Sequence, residues 1–214
     1  MSITEQERIT ELGNPRKPTG DFGRQMLTRM NASHAAVTAW GLEFLNLQAD
    51  HRVLDIGCGG GAALALMAQT VTGGHLIGVD HSPVAVQTAR ETNADAVAAG
   101  RMEIIEASVA ALPFENHCFD RAVTVESFYF WPSPAENLTE VRRILKPEGK
   151  FVLIADICDR GDLSDEARQN VRKFGLFNPT PDLFRALFAD AGFSEVQVHL
   201  RSDGLPWICV EGIV

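Results

Sequence analysis

Residues 53–61 read Val-Leu-Asp-Ile-Gly-Cys-Gly-Gly-Gly and lead directly into the apolar segment 62–68. Val53, Leu54 and Ile56 form a short apolar run of the kind that becomes a buried strand. The glycines that follow suit a tight turn, because a residue without a Cβ reaches backbone conformations that other residues avoid. The alanines and leucines of residues 62–68 favour a helix. The stretch therefore predicts a strand, a glycine loop and a helix in direct succession.

The predicted loop suits ligand binding, because backbone N–H groups and a helix N-terminus favour a carboxylate or a phosphate. Its spacing is compatible with more than one ligand. Gly57, Gly59 and Gly61 form a G-x-G-x-G pattern, whereas Ala62 completes a dinucleotide-binding fingerprint that begins at Gly57. Glycines at these positions also serve close helix and strand packing, so a purely structural turn is the alternative.

A second apolar run, residues 75–79, ends in Asp80, about 20 residues after the glycine loop. An acidic side chain at such a strand end accepts hydrogen bonds from the hydroxyls of a ribose. The alternative is a turn or capping role, although Ser82 and Pro83 already form a typical N-cap and first helical position. We therefore interpret Asp80 as a ribose ligand.

Three further segments accompany these two features. Residues 111–114 read Ala-Leu-Pro-Phe, residues 118–120 read Cys-Phe-Asp, and residues 141–149 read Val-Arg-Arg-Ile-Leu-Lys-Pro-Glu-Gly. Together the features resemble the class I S-adenosylmethionine-dependent methyltransferases, in particular the small-molecule branch that includes the ubiquinone and menaquinone methyltransferases. The chain departs from that pattern at Ser108, where many relatives carry an aspartate beside the adenine, and at Glu148, where glycine is usual.

The resemblance implies that S-adenosyl-L-methionine is the cofactor. In an open parallel sheet the ligand lies outside the carboxyl ends of the strands. The residues at those ends that we expect to bind the cofactor are Asp55, Gly57, Cys58, Gly59, Gly61, Asp80, His81, Ser108, Val109 and Glu126. We assign Gly57 and Gly59 to the methionine part and Asp80 to the ribose. Ser108 and Val109 are assigned to the adenine.

Strand-like and helix-like segments alternate up to about residue 157, which is typical of a parallel sheet. Two final strands, residues 195–200 and 207–213, have no helix between them, and so short a connection permits an antiparallel pair but not a parallel crossover. We therefore predict an α/β fold. It is a Rossmann-like, seven-stranded, mostly parallel sheet with helices on both faces and an antiparallel last strand.

The chain is predicted to consist of a helical cover, residues 1–47, and a cofactor-binding methyltransferase domain, residues 48–214. Within the cover, apolar spacing predicts two helices that are broken near residues 31–33. A single long helix is predicted for residues 82–99, ended by Gly100. The cover has no place in the strand and helix alternation, so we expect it to close over the ligand as a lid.

The composition limits the possible partners. With 214 residues, of which 45% are hydrophobic, the chain is long enough for one substantial core. A formal net charge of −9 argues against a nucleic-acid substrate, because nucleic-acid binders rely on clustered Lys and Arg. No apolar run approaches the roughly 20 residues of a membrane span, and the first residues lack a signal-peptide core, so a cytoplasmic location is expected.

No metal site and no disulfide are predicted from the cysteines. Their spacing matches neither a C-x-x-C metal pattern nor a dense disulfide framework. We expect free thiols, most of them buried, at Cys58, Cys118, Cys158 and Cys209.

Three residues are candidates for a general base, namely His34, Glu126 and Asp156. Methyl transfer from a sulfonium is a displacement on an already activated carbon, so a base is needed only if the acceptor must lose a proton. For His34 the alternative is an ordinary hydrogen-bonded histidine of a helix.

The aromatic run after the fourth predicted strand supplies the candidates for the acceptor pocket. Phe128, Tyr129 and Trp131 are suited to it, because aromatic faces attract both apolar and cationic groups. The alternative is that some members of the run are core residues and the others support the N-terminal helices.

These observations favour an enzyme that transfers the methyl group of S-adenosylmethionine to a small-molecule acceptor. Two alternatives stay open at this point. An NAD-dependent oxidoreductase is compatible with the glycine spacing of residues 57–62, although its sheet would be wholly parallel. A non-catalytic protein that binds S-adenosylmethionine and regulates a partner would carry the same loop.

Overall fold

A single sheet organises the computed structural model, which describes residues 4–161 and 163–214. In this described part of the chain the sheet has seven strands: β1 (Arg52–Ile56), β2 (His75–Asp80), β3 (Met102–Glu106), β4 (Phe119–Val125), β5 (Leu145–Ala155), β6 (Ser194–Leu200) and β7 (Ile208–Ile213). Their order is β3-β2-β1-β4-β5-β7-β6. The strand order reverses between β1 and β4, which is where an open sheet of this kind holds its ligand.

The direction of the strands confirms the predicted sheet. The first five strands pair in parallel, whereas β7 runs antiparallel to both β5 and β6. Residues 201–207 alone join β6 to β7. A parallel crossover needs a dozen or more residues, so this connection dictates the antiparallel ending.

The helices of the described chain are α1 (Glu5–Gly13), α2 (Gly20–Ser33), α3 (Ala35–Leu42), α4 (Ala62–Met67), α5 (Pro83–Thr92), α6 (Ala94–Ala98), α7 (Pro134–Ile144), α8 (Asp165–Phe174) and α9 (Pro181–Asp190). Short 3-10 turns occupy Glu43–Leu45 and Phe128–Phe130. None of the described helices is both long and apolar enough to span a membrane.

Apolar side chains that alternate along the strands form two cores, one on each face of the sheet. On β5, Phe151 and Leu153 point into the core covered by α7 and α9. Val152 and Ile154 point into the core covered by α3, α4, α5 and α6. Successive side chains of a strand face opposite ways, so a nearly continuous apolar run fills both cores. Helices on both faces are therefore confirmed.

Two helix predictions differ from the structure. The two N-terminal helices are present, with their break at His34, but the polar segment before them also forms α1. The predicted helix over residues 82–99 is interrupted at Asn93, whose side chain is buried and donates to the carbonyl oxygens of Gly61 and Ala89, both at 3.0 Å. The interruption ties the end of α5 to the glycine loop.

Candidate active site

A cavity of about 350 Å³ opens at the carboxyl ends of β1, β2 and β4 and is also lined by the N-terminal segment. The predicted residues that line it are Asp55, Gly57, Cys58, Gly59, Asp80, His81, Ser108, Val109 and Glu126, together with His34 and Trp131. The predicted residues outside its lining are Gly61, Phe128, Tyr129 and Asp156. Residues from five separate stretches of sequence thus meet around one cavity.

The glycine loop is held against β2 by its own backbone. The N–H groups of Gly57 and Cys58 both donate to the carbonyl oxygen of Val79, at 2.8 and 3.0 Å. Gly57 has a φ of +72°, and a Cβ placed on it would lie 2.1 Å from the Oγ of Ser127. Both the backbone conformation and the close approach of Ser127 therefore require glycine at this position.

Gly61, which is also a predicted cofactor ligand, allows close packing of two helices. It precedes α4 with a φ of +81°, and an added Cβ would lie 2.6 Å from the Asn93 side chain and 2.9 Å from the Cα of Ala89. The absence of a side chain at Gly61 therefore lets the end of α5 pack closely against the glycine loop.

Asp55 is buried at the end of β1, and neither of its carboxylate oxygens has a hydrogen-bond partner in the described protein. Burial, and then the nearby charge of Asp80, raise the pKa of Asp55 to about 7. A buried carboxylate without a donor is costly, and such groups are usually completed by a ligand or an ion. Asp55 lines the cavity, so a cationic group bound there has a ready partner.

Asp80 orders the turn that follows β2, which is the role that the sequence offered as the alternative to ribose binding. Its Oδ2 accepts from the N–H of Gly59 at 3.0 Å, and its Oδ1 accepts from the N–H of Ser82 at 2.9 Å. Burial raises the pKa of Asp80, while these two backbone hydrogen bonds oppose the shift. Each carboxylate oxygen keeps a second lone pair, so the group that orders the turn can also accept ligand hydroxyls.

Ser108 and Val109 follow β3 and line the cavity. The Oγ of Ser108 accepts from the N–H of Ala110 at 3.2 Å, so the hydroxyl orders a local turn. The Val109 side chain is buried in the core next to Leu112. This part of the wall is therefore apolar and hydrogen-bonding rather than acidic.

The three candidate bases converge from different parts of the chain. The Nε2 of His34 lies 3.8 Å from the Oδ2 of Asp156, and the nearest ligand atoms of His34, Glu126 and Asp156 all lie within 4.8 Å of one another. Burial lowers the pKa of His34, while Asp156 opposes the shift. Burial, followed by the charge of Asp156, raises the pKa of Glu126 well above its usual range.

The comparisons with known proteins agree with this geometry. Residues 54–153 match the family described as a methyltransferase domain. A S-adenosylmethionine-dependent methyltransferase from Aquifex aeolicus has the same fold, with a TM-score of 0.67, 16% identity and coverage of 99% of this chain and 100% of that one. Residues 54–153 thus match a methyltransferase domain, and the chain shares its fold with a S-adenosylmethionine-dependent methyltransferase.

Curated relatives of this methyltransferase domain are longer proteins. Methyltransferase GfsG of Streptomyces halstedii is 34% identical over 132 residues, which are 62% of this chain and 47% of that protein. The chloroplastic 2-methyl-6-phytyl-1,4-hydroquinone methyltransferase of Arabidopsis thaliana is 28% identical over 74% of this chain and 44% of that protein. This chain spans about half the length of the first curated relatives it matches.

The residues of the methyltransferase cavity fit its cofactor. S-adenosylmethionine carries an ammonium group, two ribose hydroxyls and an adenine. The orphaned carboxylate of Asp55 can accept from the ammonium, and Asp80 has free lone pairs for the hydroxyls. The cavity therefore offers acceptors of the kinds that these cofactor groups require.

The aromatic run that follows β4 divides between core and cavity. Phe128 is buried, with its ring centroid 5.0 Å from that of Trp131 and 5.5 Å from that of Phe184. Tyr129 donates from its hydroxyl to the Oε2 of Glu126 at 2.5 Å. Phe130 and Trp131 line the cavity. A 3-10 turn presents successive side chains in directions that strand or helix periodicity does not anticipate.

Asn31 has a role at the glycine loop that local sequence patterns do not indicate. Its Nδ2 donates to the carbonyl oxygen of Gly60 at 3.1 Å, so α2 touches the glycine loop directly. Nearby, the Oγ of Ser82 donates to the carbonyl oxygen of Pro18 at 2.5 Å. The N-terminal segment therefore lies over the loop, and its predicted mobility as a lid and its boundary at residue 47 stay predictions.

Proposed function

We propose that the protein transfers the methyl group of S-adenosylmethionine to a small organic acceptor held between the cofactor and the N-terminal segment. The observation that carries the proposal is Asp55, a buried carboxylate without a partner that lines the cavity beside the glycine loop. In a protein that binds no cationic ligand, a buried carboxylate without a partner would only lower the stability of the fold.

When it is bound, S-adenosylmethionine supplies a methyl group that is already activated by the sulfonium. The chain then has to align the acceptor and exclude water. Asp55 binds the ammonium group of the cofactor and Asp80 its ribose hydroxyls, and the backbone of Gly57 and Gly59 leaves room for its methionine part. The contact of Asn31 with the glycine loop keeps α2 over the cavity.

The acceptor side is proposed to lie between Phe130, Trp131 and His34, all of which line the cavity. Two aromatic faces favour a flat or apolar acceptor. The cavity size supports a small molecule, and so do the names of relatives such as the hydroquinone methyltransferase. The exclusion of nucleic acid and the cytoplasmic location remain predictions from the sequence.

The first experiment is mass spectrometry of the small molecules released from the purified protein. S-adenosylmethionine or S-adenosylhomocysteine should be recovered from the wild type, and less of either from Asp55→Asn. The matched control is Asp50→Asn, which removes the same charge from an exposed position just before β1. Recovery of a nicotinamide nucleotide instead would support the oxidoreductase alternative and overturn the proposal.

The second experiment separates an enzyme from a non-catalytic binding protein. The protein is incubated with methyl-labelled S-adenosylmethionine and a panel of quinols, phenols and amines, and the label is followed into organic products. Formation of S-adenosylhomocysteine that depends on one acceptor supports catalysis. Tight cofactor binding without turnover on any acceptor would favour the regulatory alternative.

A further inference from the structure

We propose that His34, Glu126 and Asp156 form a binding site for a first-row divalent cation, such as Mn²⁺ or Zn²⁺, at the acceptor end of the cavity. This is a site that the cysteine spacing did not predict. The proposal rests on the convergence of one imidazole and two carboxylates whose nearest ligand atoms lie within 4.8 Å of one another. Imidazole and carboxylate together are a ligand set that such cations favour.

The three ligands come from three structural elements that the sheet brings together. His34 lies at the junction of α2 and α3, Glu126 directly follows β4, and Asp156 directly follows β5. β4 and β5 are neighbours in the sheet, so their carboxyl ends place Glu126 and Asp156 side by side. The N-terminal helical cover supplies the third ligand, the imidazole of His34.

Glu126 is held in place by contacts that leave it able to bind a cation. Its Oε2 accepts from the Tyr129 hydroxyl at 2.5 Å, and its Oε1 accepts from the backbone N–H of Asp156. Hydrogen bonds of this kind orient metal ligands and leave a lone pair on each oxygen. The backbone of Glu126 also has a φ of +53°, a left-handed conformation that residues other than glycine rarely adopt.

His34 is fixed through its backbone, and its ring nitrogen Nε2 faces Asp156. Its N–H donates to the carbonyl oxygen of Met30 at 3.0 Å, and its own carbonyl oxygen accepts from the Thr38 hydroxyl at 2.7 Å. The side chains of His34 and Asp156 are 22% and 42% exposed, and the ion would have to draw them closer than the present 3.8 Å between Nε2 and Oδ2. Cation-to-ligand distances of about 2.0–2.2 Å require that closure.

The site would leave coordination positions open towards the cavity, because three protein ligands do not complete the shell of such a cation. His34 and Glu126 both line the cavity. An acceptor with a hydroxyl, phenol or carboxylate oxygen could occupy an open position. That use of the ion rests on the proposed function, whereas binding of the ion itself does not.

In the test, the full chain is first treated with a chelator to remove bound metal. Binding of Mn²⁺ is then measured by calorimetry and by electron paramagnetic resonance. One ion per chain is expected. The variants Glu126→Gln and His34→Asn should each bind at least about tenfold more weakly. The matched controls are Asp159→Asn, three positions along the same loop, and His75→Asn, at the amino end of β2. Both controls should bind as the wild type does.

Thermal unfolding of each variant without metal shows that it has folded, and His34→Asn keeps the test decisive if Glu126→Gln proves unstable. A folded wild type that binds no Mn²⁺ and no Zn²⁺ would overturn the proposal. Equal binding by the wild type and all four variants would overturn it too. S-adenosylmethionine binding is measured in parallel, so failure of the metal site and failure of the proposed function are seen separately.

Discussion

Replacing Asp55 with asparagine is expected to stabilise the protein without ligand at about pH 8 and to weaken its binding of S-adenosylmethionine. Burial and the charge of Asp80 raise the pKa of Asp55 from 3.8 to about 7. A shift of this size means that ionised Asp55 lowers the unfolding free energy of the wild type by about 4 kcal/mol. A buried asparagine amide without partners costs about 1–3 kcal/mol. The net gain is therefore about 1–3 kcal/mol.

The pH dependence has a defined sign. Between about pH 4 and pH 7 the folded protein keeps a proton on Asp55 that the unfolded chain has already released. The contribution of Asp55 to the unfolding free energy therefore falls as the pH rises through this window and is level above it. Asparagine has no such contribution, so the stability curves of the two proteins should separate progressively as the pH rises from 4 to 7.

Urea unfolding at about pH 5 and about pH 8 measures this separation. Asp50→Asn, at an exposed position, should follow the wild type at both values. Calorimetry at about pH 8 should show S-adenosylmethionine binding weakened by about 1.5–3 kcal/mol in Asp55→Asn, because a hydrogen bond to a charged group is lost. A variant with the pH dependence and the affinity of the wild type would refute the assignment of Asp55.

Three further predictions concern the rest of the site. Asp80→Ala should weaken S-adenosylmethionine binding by about 1–3 kcal/mol in calorimetry, and unchanged affinity would remove Asp80 from the site. Gly57→Ala should lower the unfolding free energy by about 1–3 kcal/mol more than Gly100→Ala, which has a similar φ but open space around it. Residues 16–34 should gain hydrogen-exchange protection when cofactor and acceptor bind, and equal protection in both states would identify them as scaffold.

The sequence alone was sufficient for the fold and for most of the residues that line the cavity. The strand, glycine loop and helix around Gly57 follow from local conformational preferences, which act between near neighbours. The position of Asp80 at the end of β2 follows from the same strand pattern. The antiparallel last strand follows from connection length, because so few residues cannot cross back over a sheet.

Other features depend on contacts between residues far apart in sequence. Helix propensity continues through Asn93, yet its buried hydrogen bond to Gly61 ends α5 there. The polar helix α1 forms against α2, where the Nη2 of Arg29 donates to the Oγ1 of Thr10 at 2.7 Å. Neither partner is visible from local periodicity, because the energy that decides each outcome is tertiary.

The positions of the residues that are proposed for the acceptor depend almost wholly on tertiary structure. The sequence offered Phe128, Tyr129 and Trp131 together, but the turn buries Phe128 and aims Tyr129 at Glu126. It also offered His34, Glu126 and Asp156 as separate candidates for one role, whereas the fold brings them within 4.8 Å of one another. Local sequence determines which residues end the strands, but which side chains meet across neighbouring elements depends on the packing of the helices and turns that the sheet supports.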